Sequence, residues 1–162
     1  MVYSVKLNTE IPVQVTSKSY YLNGLGNFTR YTVKDNRIPV GYVDLQDTSH
    51  GCYVMYIKNQ NPKLYKGFGK TADQIEVEHC LKRNIEKPVI ASEAKFNTHI
   101  THFKRGKRFI DEGINIFLQD LIENMKKGEQ YLTGFLGAQK MFMPQNLVNK
   151  YMEIIKKAPL LK

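Results

Sequence analysis

Two glycines one residue apart, Gly67 and Gly69, stand between a run of strand-forming residues and a stretch with helical character. On the near side, residues 52–57 (Cys-Tyr-Val-Met-Tyr-Ile) are apolar or aromatic on both faces, which predicts a central strand. Asn59, Asn61 and Pro62 end it. On the far side, the spacing predicts a helix over 71–83, with Thr71 and Gln74 placed as a capping box. Lys87 and Pro88 then break the chain, and residues 89–92 form a short buried strand. The order strand, glycine turn, helix, strand is a βαβ unit, so the two strands are parallel neighbours.

Upstream, residues 13–16 and 29–34 alternate apolar and polar side chains, as half-buried strands do. Residues 35–37 supply a turn, 40–45 a further strand, and 48–51 another turn into 52–57. The strands 29–34, 40–45 and 52–57 with short turns make an antiparallel meander. Downstream, a short helix is expected over 97–104. Ile110, Ile114, Phe117, Leu118, Leu121, Ile122 and Met125 then share one helical face, with Gly128 as its stop, and that stripe reads as core. Residues 131–137 form a last strand or a packed loop. Pro144 opens a closing helix whose core stripe is Leu147, Val148, Tyr151, Ile154 and Ile155. The expected class is α+β, an antiparallel meander followed by a βαβ unit with helices packed on a mixed sheet.

A chain of 162 residues with 42% hydrophobic and 24% charged residues fits one domain, 1–162, that needs no disulfide or metal to hold it. No apolar run reaches membrane-spanning length, and the first residues lack a secretory signal, so the expected location is the cytoplasm. Cys52 and Cys80 are not spaced as a metal or redox pair and read as reduced packing residues. Without secretion, the glycosylation pattern at Asn27 is accidental. The net charge of +9 favours an anionic partner, either a phosphate-bearing cofactor or nucleic acid. The densest basic run, residues 104–108, reads as a solvated surface.

A glycine turn opening a helix exposes backbone N–H groups, lets a ligand approach without a Cβ in the way, and adds the positive end of the helix dipole. Lys66 and Lys70 flank it. The turn is no P-loop: Gly69-Lys70-Thr71 imitates the ending, but no glycine stands at the required distance before it. Nor is it a dinucleotide fingerprint, since an antiparallel meander does not suit a doubly wound sheet. With its meander, its central strand, the segment 61–72 and the strand after it, the chain resembles the GNAT superfamily of N-acetyltransferases, whose motif is Gln/Arg-x-x-Gly-x-Gly/Ala. The likeness covers residues 28–110 best.

That resemblance implies acetyl-coenzyme A as acyl donor and direct attack of an amine on its thioester. It implies a cofactor site made of Tyr56 and Ile57 for the pantetheine arm, of Lys66, Gly67, Phe68, Gly69, Lys70 and Thr71 for the pyrophosphate, and of Asn97 after the parallel strand. Here Leu64 occupies the Gln/Arg position, Phe103 and Lys104 stand where the family has a tyrosine acid, and the helices that normally follow the first strand are missing. Glu93 and His102 are the residues we assign to proton transfer. Asp44, Asp47 and His99 are further candidates, and His99 with His102 shares a helix face without a third metal ligand. The acceptor is expected to be a small-molecule or peptidyl amine, neutral or acidic given the basic chain. No membrane partner is expected. Nucleic acid is the weaker candidate, and the oligomeric state stays open, with a homodimer among the options. The alternative function is a non-catalytic module that binds acyl-coenzyme A or nucleic acid.

Overall fold

The computed structural model describes residues 1–24, 26–94, 98–124 and 137–162. In chain order these form β1 (Val2–Ser4), β2 (Thr9–Ile11), β3 (Gln14–Leu22), β4 (Gly26–Asp35), β5 (Ile38–Asp47), β6 (Gly51–Asn59), β7 (Tyr65–Lys66), α1 (Phe68–Lys82) and β8 (Val89–Ala94). After them come α2 (Thr98–Lys104), β9 (Arg108–Phe109), α3 (Glu112–Glu123), β10 (Gln139–Phe142) and α4 (Gln145–Lys157). The main sheet runs β3-β4-β5-β6-β8-β10-β9, and a small second sheet runs β2-β1-β7.

The expected meander is present and longer than its apolar signal. β3 to β6 pair antiparallel in sequence, with Asn36 at φ 52° in the tight turn between β4 and β5. β6 and β8 then pair in parallel, Gly51 to Val89 through Val54 to Ser92, with α1 as the crossover between them. The fold is α+β with a mainly antiparallel sheet.

Alternation along β4 and β5 buries Tyr31, Val33, Val40, Val43 and Leu45 against α1 and α4. Helix α1 contributes Phe68, Ala72, Ile75, Val77 and Cys80 to this core, and α4 contributes Leu147, Val148 and Tyr151. Cys52 and Cys80 are both free and buried. A smaller apolar cluster joins Ala94, Phe103, Phe109, Leu118 and Met141 at the far end of the sheet.

Several expectations are corrected. Helix α1 begins at Phe68, not Thr71, and Gly67 is its N-cap in the left-handed region at φ 75°. There is no capping box: the Thr71 hydroxyl donates instead to the Met1 carbonyl at 2.6 Å. The stripe around α3 is only partly core, since Ile110 lies outside the helix and is exposed, as is Phe117. Met125, Gly128 and most of the segment 131–137 fall outside the described residues; β10, which the sequence reading lacks, is inserted between β8 and β9. In the closing helix Ile154 is exposed.

Candidate functional site

β6 and β8 stay paired only as far as Val54 and Ser92. On its other edge β6 pairs Val54 with Leu45 but Tyr56 with Asp44, so Met55 is an extra, bulged residue. A bulge bends its strand and raises the local twist. The two parallel strands therefore separate from Met55 onward. Between them opens a cavity of about 200 Å³, walled by Val54 to Ile57, Ser92 and Glu93 of the strands and by Thr98 and His102 of α2.

The start of α1 is joined to this cleft through Arg105, whose guanidinium lies against Gly69 and meets His102 of the cleft wall. Gly67 carries no side chain to cap it, and the first turn holds no acidic residue. Lys70 bonds back to the Gly67 carbonyl at 3.1 Å, but the earlier amides have no carbonyl a turn behind them. This end opens on a second cavity of about 670 Å³, lined among others by Gly67, Lys70, Thr71, Lys104, Arg105 and Lys150. Lys104, Arg105 and Lys150 also line an adjoining cavity of about 460 Å³ with Arg108. The surface along the helix end is thus a mainly basic groove, with Glu10 as the acidic residue in its lining, and is built from β1, α1, α2 and α4.

The two glycines serve different ends. A Cβ at Gly67 would meet nothing within 4 Å; its requirement is the positive φ. A Cβ at Gly69 would stand 2.6 Å from Nη1 of Arg105, so this glycine makes room for a guanidinium.

Beneath the groove lies a buried ionic network. Arg105 Nε donates to Asp73 Oδ2 at 2.9 Å, and the Lys107 ammonium lies 3.3 Å from Asp73 Oδ1 and 3.2 Å from Glu76 Oε2. Tyr151 also donates to Asp73, at 3.2 Å. Both carboxylates are 0% exposed and Lys107 is 1% exposed, so the network lies away from bulk solvent. Burial opposes the Asp73 charge, but Lys107 and Arg105 outweigh it and hold the carboxyl below its usual range. Burial dominates at Glu76, which is pushed up to about 7. Lys107 loses by burial but gains more from Glu76 and Asp73, so its ammonium is held above the usual value.

His102 sits at the junction of network and cleft. Arg105 Nη2 lies 2.8 Å from its Nδ1. Burial, then Lys107 and Arg105, bring its pKa down to about 3, so the ring is neutral in ordinary buffers.

Of the residues expected to form the site, Tyr56, Ile57, Glu93 and His102 come together around the cleft, and Gly67, Lys70 and Thr71 around the groove. Phe68 points into the core, leaving only its backbone to the helix end. Lys66 is an exposed residue of β7, paired with Tyr3. Asn97 lies outside the described residues. The other base candidates are engaged elsewhere. Asp44 is nearly buried in a two-pronged contact with Arg30, at 2.7 and 2.8 Å. Asp47 holds His79 at 2.6 Å and Arg83 at 3.3 Å. His99 is fully buried with Nε2 at the Ala94 carbonyl, not on a surface pair. Among the described residues no cluster of three His, Cys, Asp or Glu is arranged for a metal ion. The basic run 104–108 is likewise not a simple solvated face, since Arg105 and Lys107 turn inward. Sequence reasoning missed both, along with Asp73, Glu76 and Lys150. Charged residues along an otherwise buried α1 were the available signal.

The antiparallel meander, the parallel strand after it and the crossover helix that opens on a glycine turn form the GNAT-like mixed sheet expected from the resemblance. The comparison with solved structures agrees. An acetyltransferase from Bacillus subtilis in complex with CoA superposes with a TM-score of 0.51 at 16% identity, covering 82% of this chain and 98% of that one. A Bacillus anthracis str. Ames protein described as a streptothricin acetyltransferase, in complex with acetyl coenzyme A, gives 0.45 at 11% identity over 88% of this chain and 87% of its own. A GNAT-family protein from Bacteroides thetaiotaomicron gives 0.34 at 15% identity over 88% of this chain and 78% of its own. The first carries the fold comparison; the other two superpose too loosely to add to it. No family model and no curated protein sequence matches the chain.

Proposed function

We propose that this chain is an acyltransferase that moves an acetyl group from acetyl-coenzyme A to a primary amine, acting in the cytoplasm. The observation that carries the reading is the splay of β6 from β8 at Met55, which opens a cleft joined through Arg105 to the uncapped start of α1. A thioester arm threaded between the strands would leave its pyrophosphate at the amides of the Gly67 turn, among Lys70, Lys104 and Lys150. The solved relative of this fold with CoA bound supports the same ligand class.

In this reading the amine nitrogen attacks the thioester carbonyl carbon, the C–S bond breaks, and coenzyme A leaves as the thiol. The amine gives up one proton and the thiolate takes one. Glu93, an exposed carboxylate on the cleft wall, is assigned to accept the first. His102, with its pKa brought down to about 3 and its Nδ1 engaged by Arg105, is too weak a base for this step and is assigned to donate a hydrogen bond within the cleft. The acceptor is a small-molecule or peptidyl amine.

The test is a thiol-release assay over a panel of amines. Release above the spontaneous hydrolysis of acetyl-coenzyme A, lost in Glu93→Gln, is the expected result. Binding of coenzyme A without release for any amine would replace the enzyme by a non-catalytic acyl-coenzyme A sensor.

A further inference from the structure

Arg105 touches three parts of the molecule at once. Its Nε and Nη2 reach Asp73, at 2.9 and 3.3 Å, and Nη2 also meets His102 Nδ1 at 2.8 Å. Nη1 has no hydrogen-bond partner among the described residues and lies where a Cβ of Gly69 would stand, 2.6 Å away. The side chain is only 13% exposed, and it lines both the 670 Å³ cavity at the start of α1 and the adjoining 460 Å³ cavity. A guanidinium only donates hydrogen bonds. Nδ1 of His102 is therefore the acceptor, and the proton of the neutral ring is on Nε2. That nitrogen has no partner among the described residues, and its ring forms part of the cleft wall.

Leu64 stands, exposed, where the resemblance places a phosphate-binding Gln or Arg. We propose that Arg105 takes over that task from the opposite side, its Nη1 binding the pyrophosphate of the acyl donor while its Nη2 fixes the His102 tautomer that presents Nε2–H to the cleft. The proposal rests on the acetyl-coenzyme A reading. One planar fork, clamped by Asp73, then sets both the phosphate end and the reacting end of the donor. A lysine cannot copy it, because its ammonium is a single point of charge without the fork.

Two variants of the full chain test this. Arg105→Lys keeps a cation beside Asp73, and Gly69→Ala displaces the guanidinium while leaving every charge in place. Calorimetry with coenzyme A and with pantetheine, which lacks the phosphates, gives the first readout. Arg105→Lys should weaken coenzyme A roughly tenfold and pantetheine hardly at all, the size of one lost charge-assisted hydrogen bond. The second readout needs no ligand: ¹⁵N correlation spectra of the imidazoles, with His102→Gln assigning the signal. The wild-type ring should show Nε2–H alone, and both variants should show mixed tautomers. Equal losses for the two ligands, or an unchanged His102 signal in both variants, overturn this proposal while the functional reading stands. A wild-type chain that binds neither ligand overturns both.

Discussion

Lys107 carries an ammonium into the interior, where Asp73 and Glu76 surround it. Removing one partner of a buried pair leaves the other charges uncompensated and costs about 3–5 kcal/mol. Lys107→Met should therefore lose stability of that order in urea titration; a loss no larger than that of an exposed lysine would mean the network is open to water. Glu76 gives a separate prediction. Its folded pKa of about 7 lies above the unfolded value, so between roughly pH 4.5 and 7 the folded chain keeps a proton that the unfolded chain has released. This group's contribution to stability falls as pH rises through that window. Glu76→Gln removes the dependence, so the wild type should lose ground against the variant from pH 4.5 to 7, followed as urea midpoints. None of this was legible in the run 104–108. A basic run looks solvated until its partners are known, and those partners, Asp73 and Glu76, lie about 31 positions earlier in sequence on helix α1. The position of His102, on the helix after the parallel strand and against the cleft, was in contrast legible. Its neutral state was not, because that depends on Arg105 and on burial.

The start of α1 lacks a cap, lacks an acidic first turn and spends a left-handed residue on its entry. Each feature leaves the helix end less stable than it could be, and each leaves its amides free for an anion. A ligand that fills this end should stabilise the chain by mass action. Acetyl-coenzyme A at a hundred times its Kd contributes about 2.7 kcal/mol, which for a chain of this size is a rise in Tm of roughly 5–10 °C. Gly67→Val should abolish that rise, and should itself cost about 1 kcal/mol or more through the positive φ. An unchanged ligand-induced shift in the variant would remove the helix end from the site. The glycine turn, the crossover helix and the parallel strand were legible because each has a strong local signal. The bulge at Met55 was not: nothing in residues 52–57 distinguishes a regular strand from a bulged one. The small strands β1, β2 and β7 escaped too, since two or three residues cannot show alternation and their pairing is settled by distant partners.

At the scale of the molecule, the charge of +9 is not spread evenly. Lys70, Lys104, Arg108 and Lys150 gather along one groove, beside the entrance proposed for the cofactor. Coenzyme A should bind less tightly as salt rises from about 50 to 300 mM, with pantetheine unaffected, in the same calorimetric experiment. Single-stranded RNA that binds as tightly as coenzyme A and falls off more steeply with salt would move the groove to the nucleic-acid reading. The class of the fold was visible early because the order of elements alone restricts it. The groove was invisible, since it is assembled from β1, α1, α2 and α4, which lie far apart in the chain. The burial of Lys107 has a consequence in covalent chemistry. A lysine acylates only as a free amine that the reagent can reach, and this one is an ammonium 1% exposed between two carboxylates. Under the proposed acetyl-coenzyme A reading, the exposed Lys70, Lys104 and Lys150 are open to stray acetylation, while Lys107 should stay unmodified for as long as the chain is folded. Treatment with acetic anhydride followed by peptide mass spectrometry reads this directly. Lys107 should label only with global unfolding, which makes its acetylation a permanent mark of any molecule that has opened; labelling at the pace of Lys104 under native conditions would show that the interior is not closed.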